Sequence, residues 1–198
     1  MKSNWHSHSQ VPSRSYTCGH CGNPLASNQG YFADLDGSQQ RRDYIYICHF
    51  CGKPTYFNID GTQTPKAKVG NEVKGINDES VLKLYDEVRK SAGVDAPTVT
   101  VMGCRIILMH VAVAKGAKEN QSFEFYVDFL DKKGYIPTGL KKWAEVIRKM
   151  GNKANHKITI VTDEQAKNIL SFTEVLLKII YEMPAEIERS ASPEVKSQ

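Results

Sequence analysis

The sequence predicts a mainly helical protein with a small β module on its N-terminal side, and three observations carry that prediction. Two Cys-x-x-Cys-Gly knuckles stand at residues 18–22 and 48–52, with twenty-six residues between Cys21 and Cys48. Short alternating segments around the second knuckle read as strands. Beyond Asn77 the apolar residues switch to helical spacing.

Each knuckle is a tight turn that points two thiolates the same way, and the trailing Gly tolerates the backbone conformation beyond the second Cys. Two knuckles at this separation fold back together around one ion, so Cys18, Cys21, Cys48 and Cys51 are the candidate ligands of a zinc ribbon. Four thiolates fill every position of a tetrahedral Zn2+, leaving none for water or substrate, so the expected role is structural. A pair of disulfides, or one redox-active pair, is the alternative for the same residues. Segments 31–35 and 43–47 flank the turn-forming Asp36-Gly37, and 55–59 is a candidate third strand. A module this small cannot build a sufficient apolar core, so metal ligation has to hold it.

The expected organisation is a disordered tail over 1–14, the ribbon over 15–60, a linker over 61–77, a helical bundle over 78–187 and a second disordered tail over 188–198. The linker is rich in Gly, Lys, Thr and Asn without periodicity. Helices are expected over 78–91, with Val81, Leu84, Tyr85 and Val88 on one face, and over 96–117, apolar on most sides. Further helices follow over 122–133, over about 138–155, and from the capping box Thr162 to Gln165 as far as Glu182, before Pro184. Long helices with short connections argue for a bundle.

Residues 1–15 are rich in Ser and His and contain no apolar run of the kind a cleavable signal needs. The stretch 99–114 is interrupted by Arg105 and His110 and reads as too short to span a bilayer, so no membrane association is expected. Four cysteines on a metal and Cys104 in an apolar helix suit a reducing cytoplasm. Net charge is +4, unevenly placed: residues 132–157 hold eight Lys/Arg against Glu145 alone, whereas 71–131 hold seven against ten Asp/Glu. Such a basic concentration suits a polyanion such as RNA or DNA, or equally a solvated helix face. No glycine-containing segment fits a phosphate loop.

The segment 143–156 holds the candidate chemistry. Trp143, Val146, Ile147, Met150 and Ala154 share one helical face. Arg148, Asn152 and His156, spaced i, i+4, i+8, lie on nearly the opposite one. A guanidinium can bind a phosphate and stabilise developing charge, an imidazole can move a ribose or leaving-group proton, and an amide can hold either in place. The same three residues could instead cap or bridge neighbouring helices. Of the remaining polar residues, His20 and His49 sit inside the knuckles, where the flanking cysteines are the better ligands. Met102, Cys104, Met109 and His110 read as packing groups on the apolar helix. Arg41-Arg42 beside the ribbon hairpin could touch nucleic acid or belong to an exposed turn.

The helical part resembles the HEPN superfamily of four-helix-bundle proteins, and most of all a prokaryotic domain of unknown function that often follows a zinc ribbon. The match is carried by Arg105, Gly134-Tyr-Ile-Pro137, Arg148-x-x-Gly-Asn152-x-x-x-His156 and the long final helix. The resemblance implies a HEPN-like bundle behind a four-cysteine ribbon, a homodimer formed through the Asn152/His156 face, and a nucleic-acid-binding role in a defence or toxin-like system. For the ribonucleases of that superfamily it implies metal-independent RNA cleavage by Arg148, Asn152 and His156. In this chain Gly151 stands where those enzymes place the Arg, and Arg148 lies one helical turn upstream. The competing expectation is a non-catalytic adaptor that binds protein partners within a larger complex.

Overall fold

The computed structural model describes residues 7–34, 41–140 and 161–191. The chain forms two compact units, Met1–Lys68 and Val69–Gln198. The first is a five-stranded antiparallel meander of β1 (Ser9–Thr17), β2 (Pro24–Asp34), β3 (Arg41–Ile47), β4 (Pro54–Phe57) and β5 (Gln63–Thr64), paired in chain order. Tyr44 pairs with Phe32 on one side and Phe57 on the other, which fixes which aromatic rings share a face.

The sheet is strongly curled. Tyr16 of β1 meets Phe57 of β4 edge-on at 5.2 Å between ring centroids, although two strands lie between them in pairing order. The Tyr46 hydroxyl donates to the Pro12 carbonyl at 2.7 Å, and the Gln63 amide to the Thr17 carbonyl at 2.8 Å. The bend encloses a small core of Val11, Tyr46 and Phe57, with Tyr16 and Tyr44 against it. A bulge in β1 between Gln10 and Arg14, and one in β3 at Arg42 opposite Ala33/Asp34, supply the extra twist that such curvature needs.

These contacts correct the expected boundaries. The 1–14 tail contains the start of β1, because Val11 inserts into the sheet core at 4% exposure. The 61–77 linker divides: β5 completes the sheet, and 69–77 straps onto the helical unit, with Val73 buried at 2% exposure.

The second unit contains α1 (Glu79–Gly93), α2 (Pro97–Ala114), α3 (Phe123–Lys132), a 3-10 turn at Thr138–Leu140, and α4 (Asp163–Leu177). A π-helical turn (Lys178–Glu182) leads from α4 into α5 (Met183–Ala191). Helix starts follow local chemistry. Asp78 accepts from the Ser80 and Val81 amides, Ser122 from Phe125, and Thr162 and Gln165 form the reciprocal capping box. Pro97 opens α2, where a missing N–H leaves nothing unsatisfied.

The last helical run passes the expected stop at Glu182. The Met183 amide reaches back to Lys178 in the π turn, and Pro184 is the second residue of α5, where it needs no donor. The run therefore extends through Ala191, into the segment expected as tail. Of the helix expected over 138–155, the 3-10 turn is described, and 141–155 lies outside the described residues.

Helix α2 is the centre of the unit and packs on α1, α3 and α4. Its inner face presents Cys104, Ile107, Leu108 and Val111, all at most 1% exposed. Gly103 lets α1 come close, since a Cβ there would stand 2.3 Å from the Val88 side chain. By length and composition α2 could cross a bilayer, but 44% of its span is buried within the unit, and the central helix of a bundle passes the same test.

Candidate metal centre

The two knuckles are the β1–β2 and β3–β4 hairpin connections, so antiparallel pairing brings them to the same end of the sheet. They are built alike. The Cys18 amide donates to Asn23 and the Cys48 amide to Lys53, both at 3.0 Å, while Gly22 and Gly52 donate back to the Cys18 and Cys48 carbonyls at 2.8 and 2.7 Å. Gly22 and Gly52 have φ of 76° and 71°, the left-handed region a side chain would strain.

The result is one thiolate cluster. The sulfurs of Cys18, Cys21, Cys48 and Cys51 all lie within 4.8 Å of one another. Cys18 and Cys51 are 3.8 Å apart, and Cys21 and Cys48 3.7 Å. A tetrahedron with metal–sulfur bonds of about 2.3 Å has edges of about 3.8 Å, so the residues fit a four-thiolate ion of zinc's size. A disulfide would bring two sulfurs to about 2.05 Å, and all five cysteines of the chain are free thiols. Cys18 and Cys48 are fully buried, with Leu25 and Tyr16 packed against them.

Hydrogen bonds organise the cluster further. The His20 amide points at the Cys18 sulfur at 3.4 Å, and the Asn23 side chain at that of Cys21 at 3.5 Å. Burial works against ionising Cys21, but donation from the Asn23 backbone and side chain outweighs it and brings the thiol down to about 7. Burial pushes Cys51 up to about 12, with the neighbouring sulfurs adding to the rise. A cation among the four sulfurs would favour the ionised form of all of them. His20 is not a ligand: its ring pairs with the Pro54 carbonyl at 3.0 Å and ties the first knuckle to the start of β4. Asn23 had no signal in the sequence beyond its place after the knuckle glycine.

Arg148, Asn152 and His156 lie outside the described residues. Arg105 is half-buried with its guanidinium 4.2 Å from the Phe123 ring centroid. Cys104 packs in the core as expected, its thiol pushed up to about 12 by burial. His110 and Met102 depart from the packing role. His110 pairs at 2.7 Å with Asp78, the residue that caps α1. Met102 is 59% exposed.

A four-cysteine, metal-binding β module of zinc-ribbon type joined to a helical unit is the class of protein these features define. Residues 86–192, more than half of the chain, match the model of a domain of unknown function, DUF4145, and the chain belongs to that family. No curated protein and no solved structure matches it.

Proposed function

We propose that this protein is a nucleic-acid-binding module whose ribbon is held by one structural Zn2+ and whose helical unit is of the HEPN-like bundle class. The observation that carries the nucleic-acid reading lies on the ribbon. The Arg41 guanidinium lies 4.1 Å from the centroid of Phe32, a ring left 39% exposed, and donates to the Gln10 carbonyl at 3.3 Å, next to the exposed Arg42. A guanidinium beside an exposed ring can meet both phosphates and bases. Residues 1–68 also carry seven Lys/Arg against four Asp/Glu. Binding to short single-stranded RNA or DNA should weaken steeply between 50 and 200 mM salt, because phosphate contacts release counterions. Arg41→Ala with Arg42→Ala should lower affinity roughly tenfold and flatten the salt slope by about two. Absence of binding at 50 mM salt would overturn this reading.

Its catalytic extension assigns His156 as general acid/base, Arg148 to the phosphate and Asn152 to positioning. His156→Ala would then lower RNA cleavage by roughly 10²-fold without altering folding. Products would end in 2′,3′-cyclic phosphates, and EDTA would not inhibit while the ribbon keeps its ion. A varied RNA panel left intact by the wild type removes the extension and leaves the binding reading standing. The adaptor reading has its own support, an apolar helix face left open to solvent.

A further inference from the structure

That face belongs to α2. Val99, Met102 and Ile106 are 61%, 59% and 53% exposed, although the helix is the centre of the unit. Met109 and Val113 continue the row and line an open groove of about 310 Å³. The five residues recur at steps of three and four, the spacing of a helix seam that takes a second helix. We propose that this face pairs with the same face of a second copy, antiparallel, across a two-fold axis at Ile106. This pairing does not depend on nucleic-acid binding.

Three features favour a second copy over another occupant. The row reads Val-Met-Ile-Met-Val, the same in both directions. An antiparallel two-fold therefore sets Val99 against Val113 of the second copy and Met102 near its Met109, with Ile106 meeting itself, the self-complementarity an isologous contact demands. Arg105 is the only charged residue within α2, and it is folded onto Phe123, so no like charges oppose across the seam. Electrostatics also select the antiparallel sense. Antiparallel copies place opposite helix-dipole ends side by side. An 18-residue helix spans only about 27 Å. The contact is thus smaller than a standard interface, and a dissociation constant on the order of 10 µM is expected.

The test uses the zinc-loaded full chain in sedimentation velocity between 1 and 100 µM. A reversible dimer is expected, and Ile106→Lys, which places two ammonium groups at the axis, should weaken it roughly 30-fold or more while leaving the thermal midpoint unchanged. Cross-linking fixes the register: Ile106→Cys should form an intermolecular disulfide with itself, and Val99→Cys should do so with Val113→Cys but not with itself. A monomer at 100 µM overturns the proposal, as does a dimer indifferent to Ile106→Lys. A monomer that loses several degrees of thermal midpoint on Ile106→Lys assigns the face to the chain's own residues instead. A monomer that sediments with phosphatidylcholine/phosphatidylglycerol vesicles, and stops doing so on Ile106→Lys, assigns it to lipid.

Discussion

Replacing Cys48 by Ser is expected to release the metal and unfold the β unit while the helical unit stays folded. The sheet core rests on three buried residues, Val11, Tyr46 and Phe57, with Tyr16 and Tyr44 packed beside them. Cys18, Cys48 and Leu25 form a second small cluster, two of whose three members are candidate metal ligands. Zinc held by a small module of this kind contributes on the order of 10 kcal/mol, more than such a core can replace. Elemental analysis should return close to one zinc per wild-type chain and much less for the variant. Amide exchange or two-dimensional NMR should show protection lost in β1–β4 and kept in α1, α2 and α4. A variant that keeps its β-sheet signals without metal would sink the structural role of the ion.

Glu174→Ala is expected to destabilise the helical unit by about 3 kcal/mol, a fall in midpoint of roughly 10 °C. Glu174 is 7% exposed on α4. One carboxylate oxygen accepts the Asn71 amide N–H at 2.8 Å; the other accepts the Asn71 side chain at 2.9 Å and the Lys178 ammonium at 2.7 Å. Removing the carboxylate strands these donors beneath the strap. Glu174→Gln keeps an acceptor and should lose only about 1 kcal/mol.

Burial alone would favour the protonated acid, but donation from Asn71 and Lys178 holds Glu174 below the ordinary glutamate range. The unfolded chain therefore takes up a proton here first as pH falls. This contribution to stability is complete above about pH 4.5, and it drains away as the pH drops through the lowered value. Wild type should thus lose stability to acid more steeply below pH 4.5 than Glu174→Gln does. Identical acid transitions would show that the carboxylate is not coupled to folding.

What the sequence revealed and concealed follows from the range of each interaction. The metal centre is written in local patterns: knuckle spacing fixes turn geometry, and antiparallel pairing brings the two turns together. Helix starts were legible at Asp78, Ser122 and Thr162 because a cap is a contact between neighbours in sequence. The strap was not legible, since Asn71 is held by Tyr85 on α1 and by Glu174 on α4, the second a partner on the far side of the helical unit's sequence. Pro184 misled for a related reason: a π turn before it removes the clash that ordinarily ends a helix. In α2, a nearly uniform apolar sequence could not say which side is covered. The core pairing of Gly103 with Val88 and the exposure of Ile106 depend on three other helices.

The strap has a bearing on how this helical unit can be moved between proteins. The family match begins at residue 86, inside α1 and past every strap residue. Yet the strap's carbonyls at Val69, Gly70 and Asn71 accept from Arg89 and Tyr85 on α1, while its amide at Asn71 is held by α4. A graft cut at the start of the matched region would keep Arg89 and Glu174 but leave behind the strap and Tyr85. The transplantable piece begins at Val69. Any exchange of the N-terminal module, by recombination or by design, is least disruptive in the step between Lys68 and Val69, where the two compact units divide.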